Sequence, residues 1–186
     1  MATSVICLSH ADGAGGREIG ELLAQRLGFR HVDDGIVVAA AGAGELYPEA
    51  VAVAESRDAG RKLEVDFHRF EPTERVRELI RTAIRGTADE GNVVIVAHAA
   101  SFALEGRDDV LRILVTAPIK TRLERLSGDG RAAAKSLEQS DKAREQYLRR
   151  FYGVDRELPT HYDLVVNTEQ MSAERVVDAI VAAVGG

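Results

Sequence analysis

Apolar and polar residues follow one another along the chain in blocks that predict five β-strands. Four of the blocks are short runs rich in Val, Ile and Leu, a pattern typical of strands that are buried on both faces. The other block is mixed, but it lies between a helix-ending glycine and an Asp-Asp-Gly turn. The predicted strands are residues 5–8, 29–33, 93–96, 111–115 and 164–167.

The intervals between these strands carry apolar residues at helical spacing. In the clearest case they recur at i, i+3, i+4, i+7 and i+8 from Val76 to Ile84, which indicates one buried face of a helix. Strands that alternate with helices are typical of βαβ units, in which the strands are parallel. The predicted helices are one that begins at about residue 15–17 and ends at 27, and then 36–43, 71–84, 119–126, 131–151 and 172–184.

This alternation predicts an α/β fold, a single three-layer domain over residues 1–186. We expect a five-stranded parallel sheet with the strand 5–8 at its centre and helices on both faces. The segment from about 45 to 70 fits neither period, because Pro48 and Gly60 interrupt it. We expect this segment to form a flap beside the sheet.

The net charge and the distribution of apolar residues argue against some classes of function. A net charge of −6 argues against a nucleic-acid partner, and 45% hydrophobic residues are ordinary for a globular chain. The sequence has no basic leader with an apolar targeting core and no apolar run of the roughly 18–20 residues that cross a bilayer. We therefore expect a cytoplasmic protein without a membrane partner. The single Cys7 lies in a predicted buried strand, where we expect it to belong to the core.

A glycine-rich stretch directly follows the first predicted strand and precedes the first helix. It contains Gly13, Ala14, Gly15 and Gly16. Glycines let a backbone approach an anion, and the N–H groups at a helix N-terminus supply positive potential. The stretch is therefore a candidate phosphate-binding loop, although a tight strand-to-helix turn that uses glycines for packing would have the same sequence.

The loop departs from the usual pattern G-x-x-x-x-G-K-[ST]. If Gly15 is the last glycine, Gly16 stands at the lysine and Arg17 at the hydroxyl residue; if Gly16 is the last, Arg17 and Glu18 stand there. Neither alignment supplies a lysine for the phosphates or a hydroxyl for Mg²⁺. Glu18 or Asp12 is the candidate metal ligand, and Glu18 is also explained as a first-turn carboxylate that interacts with the helix dipole.

Further candidate residues follow from the rule that ligands lie at the carboxyl ends of parallel strands. Asp33 and Asp34 follow the second strand and His98 follows the third, which makes them candidate ligand-binding residues. Arg81 lies in the row of arginines at positions 77, 81 and 85 of one helix. Such a row is either a solvated face or places one arginine against a substrate phosphate.

Several stretches taken together resemble the cytidylate kinase-like family of P-loop kinases. They cover most of the chain in the family's order, with a poor match between about 45 and 70. The family's own loop reads G-S-G-G-R-E and also lacks the lysine. The resembling stretches are GAGGREIGELLAQRLGF, VDDGI, VVIVAHAA, VTAPIKTRLERL, SDKAREQYLRRFYG and YDLVVNT.

The resemblance implies a P-loop kinase core with ATP and Mg²⁺ as cofactors and a small-molecule nucleotide such as CMP as acceptor. By position, residues 13–16 would wrap the donor phosphates with Arg17 beside them, and Asp33 would lie on the acceptor side. Residues of about 128–152 would form a lid. Its closing cations would be Lys142 and Arg144, and its other basic residues include Arg131 and Lys135.

The chain departs from the family at two cationic positions. Ala97-His98 stands where the family has Gly-Arg, and Ala39 stands where cytidylate kinases have an acceptor-side arginine. Three interpretations follow: a nucleotide kinase, a nucleotide-binding or regulatory module that has lost phosphoryl transfer, and a partner-binding protein with an unused loop. For the lid, the alternative is a solvated helix in which Glu145 pairs with Arg149.

Overall fold

A computed structural model of the chain describes residues 3–33, 74–97, 100–126 and 130–184. Its five strands form one parallel sheet in the order β2-β3-β1-β4-β5. The predicted parallel sheet and its central first strand are therefore confirmed. The strands are β1 (Val5–His10), β2 (Arg30–Asp33), β3 (Val93–Val96), β4 (Val110–Thr116) and β5 (Leu164–Asn167).

The helices cover both faces of the sheet. Predicted and observed helix bounds agree to within three residues in most cases. The exceptions are α2, which ends five residues later than the predicted 84, and α3, which the sequence pattern does not predict. The predicted helix at 36–43 and the predicted flap at 45–70 lie outside the described residues. The helices are α1 (Gly16–Leu27), α2 (Glu74–Asp89), α3 (Ala100–Ala103), α4 (Ile119–Arg125), α5 (Gly130–Tyr152) and α6 (Ala173–Val184), with a short 3₁₀ helix at Pro159–His161.

The central strand β1 divides the core into two layers. Val5 and Cys7 face the layer that contains residues of α2 and α3, whereas Ile6 and Leu8 face the layer that contains residues of α1 and α6. All four side chains are at most 1% exposed. Full burial of such a side chain contributes about 1.5–3 kcal/mol, which explains why the sequence of this strand has no polar face.

The expectation that Cys7 belongs to the core is confirmed. Burial raises the pKa of its thiol to about 12, so the thiol stays protonated and unreactive in the folded protein. Within the described part of the chain, no helix is long and apolar enough to cross a membrane.

Parallel pairing brings the carboxyl ends of all five strands to one edge of the sheet. The loop after β1, Asp33 at the end of β2, Ala97 after β3, and Thr116 and Thr168 at the ends of β4 and β5 therefore lie along the same edge. This edge is where a ligand is expected in an open parallel sheet.

An ion cluster ties the opposite edge of the sheet together. Arg107 donates to both carboxylate oxygens of Asp109 at 3.0 and 2.9 Å and to Asp89 at 2.5 Å. Ser4 donates a further bond to Asp109 at 2.8 Å. The hydrogen bond from Arg107, followed by that from Ser4, lowers the pKa of Asp109 to about 2.

We expect Asp109→Asn to lower the free energy of unfolding at pH 7 by about 1 kcal/mol, because a charge-assisted pair is lost. The folded pKa of Asp109 lies below its unfolded value, so its stabilisation is complete above about pH 4 and is lost as the pH falls towards 2. Urea unfolding at pH 7, 5 and 3 should show the wild type and the variant converging at low pH. The neighbouring exposed Asp108→Asn is the control; a constant difference at all pH values would contradict the assignment.

Candidate phosphate-binding site

The loop between β1 and α1 has a backbone that two of its glycines make possible. Gly13 and Gly15 have φ angles of 76° and 83°, in the left-handed region that other residues rarely adopt. Ala14 between them is fully buried. Gly15 is the N-cap of α1 and makes no side-chain cap, so the first turn of the helix is not capped by its own chain at that position.

Gly13 is required by packing as well as by conformation. A Cβ atom at this position would lie 2.8 Å from the carbonyl oxygen of Arg122 and 3.0 Å from its Cβ. Helix α4 therefore presses directly against the loop, and any side chain at Gly13 would push the two apart.

Arg122 is a buried cation at this contact. Its side chain is 6% exposed, and both of its terminal nitrogens donate to Asp141 of α5 at 3.0 and 2.6 Å. Its Nε donates to the main-chain carbonyl of Asp12 at 2.6 Å. One guanidinium thus joins α4, the loop and the helix predicted to be the lid.

Asp12 is bound to the same helix through its side chain. Its Oδ2 accepts a hydrogen bond from the hydroxyl of Ser140 at 2.6 Å. The candidate metal ligand Asp12 therefore contacts α5 in this state of the protein.

Arg125 and Thr168 hold the loop from a second direction. The hydroxyl of Thr168 donates to the carbonyl of Ala14 at 2.9 Å and accepts from Arg125 at 2.8 Å. Arg125 also donates to the Thr168 carbonyl at 2.6 Å and, more weakly, to that of Gly13 at 3.4 Å. Thr168 is buried, so these bonds lie in a poorly solvated layer behind the loop.

These contacts orient the loop. Three successive carbonyls, those of Asp12, Gly13 and Ala14, accept hydrogen bonds from side chains of α4 and from the end of β5. The N–H of Ala14 donates to the carbonyl of Ala11 at 3.0 Å, so an anion would be bound by the N–H groups that begin helix α1. The N-terminus of helix α1, which carries the positive end of the helix dipole, comes directly after the loop in the chain.

Arg144 of α5 lies against the end of β1. It donates to the carbonyl of His10 at 2.7 Å, to the hydroxyl of Ser9 at 2.8 Å and to both oxygens of Glu157 at 2.9 and 2.7 Å. Tyr162 donates to the same carboxylate. Burial, followed by the Glu157 charge, raises the pKa of Tyr162 well above its usual value, so its hydroxyl remains a donor.

The other predicted lid cations lie on the outside of α5. Lys142 is 64% exposed and pairs with Glu138 at 2.7 Å, and Arg131 and Lys135 are exposed. The structure therefore does not bring these three side chains to the loop. Arg149, predicted in the alternative interpretation to pair with Glu145, contacts Asp155 at 3.0 Å.

The residues predicted at the first turn of α1 and at the acceptor side are placed as follows. Arg17 and Glu18 are exposed on the first turn, next to the loop glycines. Asp33 is the half-buried last residue of β2. Arg81 of α2 lies over the ring of Tyr152, 5.3 Å from its centroid. The candidates Asp34 and His98 lie outside the described residues.

Carboxylates do not cluster around the loop in the part of the chain that the structure describes. There, no group of three or more His, Cys, Asp or Glu side chains is placed so as to hold a metal ion. Mg²⁺ bound to a nucleotide keeps several waters and needs only one or two protein ligands besides the phosphates. Glu18 and Asp12 are compatible with that limited role.

Comparison with known proteins identifies the family. The model of the cytidylate kinase-like family matches residues 5–170. The chain belongs to the cytidylate kinase-like family. A cytidylate kinase from Pyrococcus horikoshii is 30% identical over 187 residues, which cover 97% of this chain and 88% of that protein.

Solved structures agree with the fold. An uncharacterized protein from Eubacterium ventriosum superposes with a TM-score of 0.75 at 14% identity and covers 98% of this chain and 99% of its own. A shikimate kinase from Bacteroides thetaiotaomicron gives a TM-score of 0.58 at 17% identity, with 98% and 99% covered. The cytidylate kinase-like protein therefore has the fold of P-loop kinases.

Most of the residues that fix the loop of this cytidylate kinase-like protein are not indicated by the sequence pattern. Arg122 and Arg125 lie in a helix that the apolar period predicts, but nothing in that period separates a buried arginine from an exposed one. The position of Thr168 was a usable signal, because it follows β5 at the ligand edge of the sheet.

We expect Asp141→Ala to lower the free energy of unfolding by about 3 kcal/mol, because it leaves the buried Arg122 guanidinium without its carboxylate. Arg122→Met should also destabilise the protein, whereas the double variant should lose clearly less than the sum of the two. Urea unfolding of the four proteins measures the coupling. Glu145→Ala, an exposed carboxylate one turn further along α5, is the control and should change stability little. Additive losses would mean that the pair is not coupled.

Proposed function

We propose that this protein is an ATP-dependent phosphotransferase that acts on a small nucleotide, with CMP as the first acceptor to test. The observation that carries the proposal is the loop after β1. It combines two left-handed glycines, carbonyls tied back into the protein and a helix N-terminus, in a chain of the cytidylate kinase-like family. The curated relatives named cytidylate kinases support CMP as that acceptor.

The loop would bind the phosphates of ATP through main-chain N–H groups. Fixed donors contribute most to catalysis when they require no reorganisation during the reaction. The bonds from Arg122 and Thr168 hold the loop in place before a ligand arrives. Phosphoryl transfer needs little covalent chemistry from the protein, so such positioning supports activity without the usual lysine.

Arg17 is the proposed cation beside the transferring phosphoryl group. It lies exposed in the first turn of α1, and its guanidinium can bond two phosphate oxygens at once. Mg²⁺, held by the phosphates with Glu18 or Asp12 as protein ligand, would neutralise further charge on the phosphate oxygens. Arg144 is the second candidate cation. It lies against the end of β1, and its guanidinium is now bonded to Glu157.

The acceptor would lie at the same edge of the sheet, beyond the ends of β2 and β3. Asp33 and Arg81 are proposed to contact it, together with Asp34 and His98. The lid residues Lys142, Arg131 and Lys135 would reach the nucleotides through a movement of α5, because their side chains are exposed to solvent and Lys142 is paired with Glu138.

A catalytically weak nucleotide-binding protein is the second candidate function. It is favoured by the state of the lid cations: Arg144 is bonded to Glu157, and Lys142 is paired with Glu138. A module that only binds nucleotide would need the loop but not these cations. The two functions therefore differ in turnover rather than in ATP affinity.

We expect Gly15→Val to abolish most nucleotide binding, because valine cannot hold a φ of 83° and the loop N–H groups would turn away from the phosphates. A heat-shift screen of nucleotides with and without Mg²⁺ measures binding, since a ligand of the native state raises its melting temperature. Gly106→Val is the matched control: Gly106 also has a φ of 83° and open space around it, but it lies at the opposite edge of the sheet. Equal nucleotide shifts in both variants would show that the loop is merely a turn.

We expect Arg17→Ala to lower turnover by on the order of a hundredfold while changing ATP affinity only modestly, because the cation acts mainly on charge that develops in the transition state. The assay is ATP-dependent phosphorylation of a panel of nucleoside monophosphates with CMP first. Wild-type protein that binds ATP but neither phosphorylates the panel nor hydrolyses ATP would establish the nucleotide-binding function instead. Turnover unchanged in Arg17→Ala would mean that another cation does this work.

A further inference from the structure

Thr168 contacts the loop after β1 from the far end of the sheet. It directly follows β5, and its main-chain N–H donates to the carbonyl of Thr116 at 2.8 Å, which extends the contact between β4 and β5. The residue is 3% exposed. Its hydroxyl is therefore attached to a fixed part of the sheet and is shielded from water.

The one hydroxyl proton of Thr168 is directed to the carbonyl of Ala14. A threonine hydroxyl donates a single hydrogen bond and accepts others through its lone pairs. Arg125 donates to the hydroxyl oxygen at 2.8 Å, and the carbonyl of Ala14, at 2.9 Å, is a closer acceptor than that of Thr116, at 3.4 Å. A bond accepted from a guanidinium polarises the O–H and strengthens the bond that it donates.

A fixed carbonyl also fixes the amide that follows it. The peptide bond between Ala14 and Gly15 is trans and planar, so the N–H of Gly15 points opposite to the Ala14 carbonyl and away from Thr168. The carbonyl of Gly15 accepts from the N–H of Ile19 at 3.1 Å, which holds Gly15 on its other side. Among the described residues, this N–H of Gly15 donates no main-chain hydrogen bond.

We propose that Thr168 is a positioning residue for donor-phosphate binding: through the carbonyl of Ala14, its hydroxyl directs the N–H of Gly15 at the phosphate in the loop. The inference rests on the proposed function, because it needs a polyphosphate in the loop. Thr168 does not touch the ligand in this role. It keeps a main-chain donor oriented before the ligand arrives, which lowers the cost of reorganisation on binding.

The other role open to Thr168 is to fasten the end of β5 to the loop. In that case the loss of its hydroxyl would lower the stability of the protein and leave the affinity for polyphosphate unchanged. The two roles therefore differ in ligand affinity, and not in stability.

The first experiment removes the hydroxyl and then restores it. Thr168→Val replaces the hydroxyl with a methyl group of similar size, whereas Thr168→Ser keeps it. Titration calorimetry with ATP and with inorganic tripolyphosphate measures the dissociation constants. We expect Thr168→Val to bind both about ten- to a hundredfold more weakly, because a hydrogen bond to an ionised oxygen is misdirected, and Thr168→Ser to stay close to the wild type.

Thr87→Val is the matched control. Thr87 is also a buried threonine, 8% exposed, but it lies near the C-terminal end of α2. That end precedes β3 and is therefore next to the amino ends of the strands, away from the loop. We expect both dissociation constants to be unchanged in this variant. Thermal melts verify that each variant is folded, and Thr168→Ala replaces Thr168→Val if the latter does not fold.

The second experiment observes the Gly15 amide directly by NMR. Labelling with ¹³C-carbonyl alanine and ¹⁵N-glycine selects the Ala-Gly peptides, of which the sequence has four, those ending at residues 15, 42, 44 and 60. Ala14→Ser removes the signal of the first and so assigns it. We expect tripolyphosphate at one fixed, wild-type-saturating concentration to shift this amide in the wild type and in Thr168→Ser, and to shift it clearly less in Thr168→Val.

The proposal is overturned if Thr168→Val, or Thr168→Ala in its place, melts earlier but binds ATP and tripolyphosphate like the wild type. It is also overturned if Thr168→Ser binds as weakly as Thr168→Val, or if the Gly15 amide responds equally in all three proteins. These outcomes leave the proposed function standing, since the wild type still binds the polyphosphate. Wild-type protein that binds neither ATP nor tripolyphosphate would remove both.

Discussion

Arg122 joins three parts of the chain that are distant in sequence: α4, the loop after β1 and the long helix α5. Its side chain is almost fully buried, and burial of an unpaired guanidinium would cost several kcal/mol. The cost is offset only while the guanidinium keeps both Asp141 and the carbonyl of Asp12. The position of the loop backbone, the placement of α4 and the docking of α5 are therefore one linked arrangement.

The same constraint explains the shape of the loop. Arg122, Arg125 and Thr168 donate hydrogen bonds to the carbonyls of Asp12, Gly13 and Ala14. Helix α4 also leaves no room for a side chain at Gly13. The loop is thus held by hydrogen bonds from its own protein before any ligand binds. A preorganised set of main-chain donors loses little entropy when an anion arrives, which is a physical reason for a loop without lysine to remain useful.

The fold was predictable because its signals are local and repeated. Runs such as 93–96 are apolar at every position since both faces of the sheet are covered, and the helix α6 shows one apolar face over its whole length. The short helix α3 was not predicted, because four residues are too few to display a helical period. The prediction that a ligand binds at the carboxyl ends of the strands followed from their parallel pairing alone.

The site was predictable only in part, because its decisive contacts are between residues far apart in the chain. Gly13, Gly15 and Gly16 indicate a tight strand-to-helix turn from the local sequence alone. By contrast, Arg144 meets Ser9, 135 positions away, and nothing near either residue indicates that contact. Sequence alone also could not separate Arg144, which faces inward, from Lys142, which faces solvent two positions earlier on the same charged helix.

Whether Arg144 can bind a phosphate depends on the carboxylate of Glu157 that it already holds. For Arg144 to bond a phosphate, it has to release the two oxygens of Glu157 that it now holds. A phosphate offers the guanidinium the same bidentate geometry as a carboxylate, so the number of charge-assisted bonds to Arg144 need not fall. The free-energy cost of the exchange then lies mainly with the released Glu157. Tyr162, whose hydroxyl remains protonated, continues to donate to that carboxylate and lowers this cost.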